Sequence, residues 1–197
     1  MFSTLNSKEA NGERNPWLNE MNAEIEKHFS RIEAEREELL ALASKIDPEV
    51  FLTPPRAGKW PPSQVLLHLV TAEDLSVKYL EKKTLGLKSL GNSGLFGTVR
   101  SGLLKIFQRL PLKYKTSRRM LELLPEPAPI AEVARRWDAV RKALRNVLER
   151  FGEGDEKKKV FRHPIAGRLN ILQTMSFFNE HMKHHLPQIE RFTGKGL

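Results

Sequence analysis

Residues 179–190 read NEHMKHHLPQIE, which places three of the chain's six histidines, His181, His184 and His185, within five residues. A neutral imidazole is among the commonest metal-ligating side chains, and its titration near neutrality suits it to acid–base work. His181 and His185 are one helical turn apart and share a face, while His184 is offset to the flank. Two imidazoles so spaced can hold one metal ion through their ring nitrogens. A third, His68, stands between Val65 and Ala72 on the inner stripe of another expected helix. Three protein nitrogens from two helices leave at least one metal position open, the pattern of a catalytic site rather than a closed structural one. The plainer reading is that all three are hydrogen-bonded core residues. Against it stands the desolvation cost of each unpaired buried nitrogen, and neither inner stripe carries an Asp or Glu as a rival partner. The residue after His181 is Met182, so the metalloprotease pattern, which needs Glu there, is absent.

The elements that must position these residues are helices. Asn15-Pro16 has the form of a helix cap followed by proline at the first helical position. Leu18, Met21, Ile25, Phe29, Ile32, Leu39, Ala43 and Ile46 follow at steps of three, four or seven and predict one long amphipathic helix ending near Asp47-Pro48. A second begins around Pro62 and fades near Gly86, with Val65, His68, Leu69, Ala72, Leu75 and Tyr79 facing inward. A third spans about 130–151 and carries Trp137 on its apolar side. The last spans about 168–192, with Ile171, Met175, Phe178, His181, His185, Ile189 and Phe192 as its stripe. No strand pattern is evident. The expected fold is all-α: a four-helix bundle with a long crossover between helices 2 and 3, carrying an extra short helix at about 95–110. Residues 1–15 read as a loose leader, 16–197 as one domain, and 86–127 as a basic crossover insertion within it.

Composition narrows the class. The chain has 197 residues, enough for one domain with a substantial core. Its lack of cysteine excludes disulfides, cysteine nucleophiles and thiolate ligands. No apolar run approaches the roughly 20 residues of a membrane span, and no secretory signal is visible, so cytoplasmic residence is expected. The net charge of +9 is local. Between Lys82 and Arg119 there are ten Lys or Arg and no Asp or Glu, so the rest of the chain sums to −1. Within that segment Phe96, Val99, Leu103, Phe107 and Leu110, interleaved with Arg100, Lys105 and Arg109, have the spacing of an interfacial amphipathic helix. Peripheral contact with an anionic membrane or an acidic partner through 95–110 is one reading; packing over the bundle to close the site is the other. Nucleic acid is not an expected partner, because no helix-turn-helix, zinc finger or aromatic stacking platform accompanies the charge.

Three stretches together resemble the DinB-like superfamily of metal-binding four-helix bundles, which includes DinB/YfiT-like proteins. GKWPPSQVLLHL resembles the family's entry to the second helix, with Trp60 eight residues before His68. FRHPIAGRLN resembles its His-Pro-x-x-Gly lead into the last helix, with His163, Pro164 and Gly167. HMKHHLPQIE resembles its HxxHHxxQ signature, with His181, His184, His185 and Gln188. The likeness covers roughly residues 16–192. It implies that His68, His181 and His185 are the metal ligands and that His184 is not one; His184, Gln188 and His163, the last expected as a loop histidine near the site mouth, are candidates for a supporting role around them. Pro61 and Pro62 replace the usual Ser or Thr cap after the Trp, and Pro187 replaces a small residue and removes a helical bond to the Lys183 carbonyl. The resemblance further implies a divalent transition metal, Zn or Ni foremost, and thiol-dependent S-transfer in which a low-molecular-weight thiol attacks an electrophilic small molecule, since an open histidine site lowers the pKa of a bound thiol or water. Metal-dependent hydrolysis is the nearest alternative, and a non-catalytic metal-holding bundle the next. Members of the family it resembles often form homodimers.

Overall fold

The computed structural model describes residues 21–92, 118–163 and 167–194. The expected leader, the Asn15-Pro16 start and the short helix at 95–110 lie outside them. The described residues form helices α1 (Ala23–Ala43), α2 (Pro48–Leu52), α3 (Pro62–Thr84), α4 (Arg118–Leu123), α5 (Ile130–Leu148) and α6 (Ile171–Glu190), with a small hairpin of β1 (Phe161–His163) and β2 (Gly167–Leu169) before α6.

Each helix start has a local cause. Asn22 has a non-helical backbone, and its side chain accepts from the amides of Glu24 and Ile25. That cap begins α1 at Ala23, because Asn satisfies first-turn donors that have no partner within the helix. Asp47 caps α2 in the same way, with Pro48 in the first turn. Neither Pro61 nor Pro129 can cap α3 or α5 through a side chain. Ser63 ties these two starts together instead: its hydroxyl donates to the Ala128 carbonyl at 2.7 Å and accepts from the Ala128 amide at 2.8 Å. Asn170 and Gln173 form a reciprocal capping box at the start of α6. Pro187 lies within α6, which continues past it to Glu190.

The four long helices form a ring of contacts. α1 packs against α6 and α5, and α3 packs against α5 and α6. The shared core includes Ile25, Ile32, Leu66, Leu69, Leu80, Trp137, Leu144, Phe178 and Ile189. Burying each such side chain stabilises by about 1.5–3 kcal/mol.

Two expectations are corrected. The chain does contain strands: β1 and β2 pair antiparallel, Phe161 with Leu169, Arg162 with Arg168 and His163 with Gly167. Phe161 and His163 are buried and Arg162 is exposed, the alternation of a half-buried strand. Gly167, at φ 74°, adopts the left-handed conformation that glycine tolerates without penalty. The hairpin shortens the last helix, which begins at Ile171 rather than about 168. A main-chain bond from the Lys159 amide to the Gly91 carbonyl joins the approach to the hairpin to the residues following α3. The second correction concerns the lower half of α3. Tyr79 is 42% exposed, while Glu73, Ser76, Val77, Leu80 and Thr84 are buried. The inward face turns there because Glu73 has partners in the core.

Those partners form a buried ionic network. Trp137 Nε1 donates to Glu73 Oε2 at 2.9 Å, and Arg141 Nη2 donates to Glu73 Oε1 at 3.0 Å. Arg141 also pairs with Glu33 at 3.3 Å, Glu33 with Arg36 at 3.1 Å, and Arg36 with Asp138. Glu73 and Arg141 are only 1% and 2% exposed. The network therefore joins α1, α3 and α5 through charge where the apolar stripes are interrupted.

Candidate metal centre

α3 contributes His68, and α6 contributes His181 and His185. The ring centroids lie 5.1 Å apart for His68–His181, 5.1 Å for His68–His185 and 5.0 Å for His181–His185. This near-equilateral triangle places one ligand nitrogen of each residue within 4.8 Å of the other two. The HxxxH spacing accounts for the pair on α6; the packing of α3 against α6 brings in the third.

The electrostatics favour neutral rings. Burial, with the neighbouring His184 adding to it, lowers the His68 pKa to about 4. Burial, followed by the influence of His68 and His184, lowers His185 to about 3. His181 is held well below its ordinary value by burial and then by the adjacent imidazoles, His185 foremost. A neutral imidazole is the form that coordinates metal. Nδ1 of His68 and Nδ1 of His185 are buried and have no hydrogen-bond partner among the described residues. An unpaired buried polar atom costs about 1–3 kcal/mol, and two in one three-imidazole cluster are what a site completed by a cation would contain. The three histidines thus fit a divalent transition metal by donor type, protonation state and unmet bonding capacity.

Each candidate ligand has its own support. Trp60 packs against His68, with centroids 5.4 Å apart. Gln188 hydrogen-bonds to His185, and the His184 ring stands edge-on to His185 at 5.0 Å. Phe177 stacks on His181 at 5.6 Å, with the ring planes 14° apart. His163 is not the loop residue expected at the site mouth. It is buried in β1, where burial lowers its pKa to about 4, and its ring meets Phe177 edge-on at 4.6 Å.

The DinB superfamily sequence pattern matches residues 31–189. The chain belongs to the DinB superfamily. The crystal structure of TT2238, described as a four-helix bundle protein, is similar with a TM-score of 0.52 and 23% identity over 84% of this chain and 98% of that one. At that identity the likeness concerns fold alone. Comparison with curated proteins gives no match. Within this DinB bundle, none of the described helices is long and apolar enough to cross a membrane.

Sequence reasoning missed Phe177 and the Glu73–Arg141 network. Phe177 precedes His181 by one helical turn, a spacing signal that was available. Arg36 falls within the seven-residue step of the α1 stripe from Ile32 to Leu39, and a charge occupying a stripe's gap was the readable sign. Glu73 stands beside the α3 stripe, next to Ala72, and gave no such sign.

Proposed function

We propose that this DinB bundle is a metal-dependent enzyme of the thiol S-transferase type, acting on an electrophilic small molecule with a low-molecular-weight thiol as cosubstrate. The observation that carries the reading is the convergence of the His68, His181 and His185 nitrogens within 4.8 Å, two of those rings having a buried Nδ1 without a partner. These residues would hold the ion, with Zn2+ or Ni2+ suited to an all-imidazole donor set. A bound divalent ion there supplies Lewis acidity, lowering the pKa of a thiol or water. The chain's own contribution is to keep three imidazoles neutral by burial, to fix their directions through Trp60, Phe177 and Gln188, and to supply no fourth His, Cys, Asp or Glu to the cluster among the described residues. That leaves room for an exogenous ligand.

The test measures metal content after purification without an affinity tag, followed by thiol addition to 1-chloro-2,4-dinitrobenzene. The wild type is expected to carry about one transition-metal ion per chain and to accelerate addition with at least one low-molecular-weight thiol, and His181→Ala to lose both. Metal binding without acceleration, across thiols and metals, overturns the transferase reading. Failure to take up Zn2+ or Ni2+ overturns the metal site.

A further inference from the structure

We propose that Phe177 is a positioning residue for His181, and that His163 on the hairpin locks Phe177 in place. The inference rests on the metal reading of the triad. Phe177 and His181 lie one turn apart on α6, and their near-parallel stack restricts rotation of the imidazole. Phe177 is itself surrounded. The His163 ring stands against it at 4.6 Å and 70°, Phe161 lies at 6.4 Å and 22°, and Phe178 lies at 5.7 Å and 54°. Phe161 and His163 are the two inward residues of β1. The hairpin therefore presents two rings to Phe177, which also stacks on His181.

Hydrophobic burial alone does not explain this arrangement. Phe178 fills the core at 1% exposure, whereas Phe177 is only partly buried and contacts two histidines. Aromatic pairs prefer offset-stacked or edge-to-face geometry, and both occur here on a single ring. The stack fixes the plane of His181, the edge contact prevents Phe177 from turning away, and the pairing of His163 with Gly167 fixes the edge contact in turn. Groups that orient a metal-ligating histidine commonly affect metal affinity ten- to a hundred-fold. Hydrogen bonds usually provide that orientation, as Gln188 does for His185; for His181 the neighbouring ring of Phe177 takes that part.

The probe is Co2+ alone, added to the metal-free full-length protein. Affinity is measured by competition with a chromophoric chelator, and ligand geometry by the visible d–d spectrum. Phe177→Leu is expected to weaken Co2+ binding at least about ten-fold and to shift the spectrum, while Phe177→Tyr, which keeps the flat ring, restores both. His163→Ala is expected to shift the spectrum in the same direction, and His163→Phe to leave it as in the wild type. The His163 pair carries the test if Phe177→Leu fails to fold. A wild-type-like spectrum and affinity in Phe177→Leu or, where that variant does not fold, in His163→Ala would overturn the inference and leave the metal site standing. No Co2+ binding by the wild type would overturn both.

Discussion

Removal of Glu73 tests the buried network most directly. Glu73→Leu deletes the carboxylate that accepts from Trp137 Nε1 and Arg141 Nη2 at 2.9 and 3.0 Å. Arg141, 2% exposed, is left with Glu33, which already pairs with Arg36. Breaking a buried ion pair costs about 3–5 kcal/mol, and a buried indole N–H without an acceptor costs about 1–3 kcal/mol. The two penalties share one local rearrangement, so a loss of about 4–6 kcal/mol is expected, a large part of a typical domain's 5–15 kcal/mol. Adding Arg141→Met removes the stranded cation. Glu33 and Arg36 remain paired, and the main residual cost is the Trp137 N–H, so the double variant is expected to lie only about 1–3 kcal/mol below wild type. Arg141→Met alone is milder than Glu73→Leu. Burial pushes the Glu73 carboxyl upward and the Arg141 guanidinium opposes that push; without Arg141 the carboxyl can take a proton. With its folded pKa above the unfolded value, Glu73 in Arg141→Met contributes stability at low pH that is lost as pH rises through the folded value, so relative to the wild type this variant is expected to fare worse at pH 8 than at pH 5.5. Urea denaturation followed by circular dichroism, at pH 5.5 and pH 8, measures all three variants. Additive losses, or a double variant less stable than Glu73→Leu, would refute the argument that stranded charge dominates.

His181→Ala is expected to abolish stoichiometric metal binding while His184→Ala retains it, since His184 lies outside the cluster of converging nitrogens; elemental analysis of the two purified variants checks this. Free Zn2+ at 100 times its dissociation constant is expected to add up to about 2.7 kcal/mol to stability, less whatever the unfolded chain binds, read as a shift in the urea midpoint that His68→Ala removes. The metal-free protein is expected to lose stability as pH falls from 6.5 towards 4. His68 and His163 at about 4 and His185 at about 3 lie below the ordinary value of 6.5, so in that range the unfolded chain binds more protons and the stability present above 6.5 is lost. Each histidine that titrates only when unfolded contributes about 1.4 kcal/mol per pH unit; denaturation midpoints across this range give the slope. Ser63→Ala strands the amide and carbonyl of Ala128 and is expected to cost about 1–3 kcal/mol by the same assay.

The bundle and the triad were both legible in the sequence, for different reasons. Ile25, Phe29, Ile32 and Leu39 repeat with a helix's period because one face of α1 is dry, and periodicity records that directly. His181 and His185 share a face by spacing alone. His68 could be assigned to an inner stripe, but its approach to the other two depends on α3 packing against α6, which no local pattern encodes. The hairpin was unreadable because three residues a side are too few to establish a period. The burial of Glu73, Arg36 and Arg141 depends on partners brought together by three separate helices, which no local pattern records.

The separation of His68 from the pair on α6 bears on how the chain folds. His181 and His185 need only one turn of helix to act together, and such turns form transiently even in a denatured chain. Metal bound by that pair before the bundle forms would favour folded and unfolded chains alike. His68 joins only when a loop of about 110 residues has closed. Of the three histidines, the distant one is therefore the residue that converts metal affinity into a preference for the native state, and its loss would uncouple capture of the ion from completion of the fold.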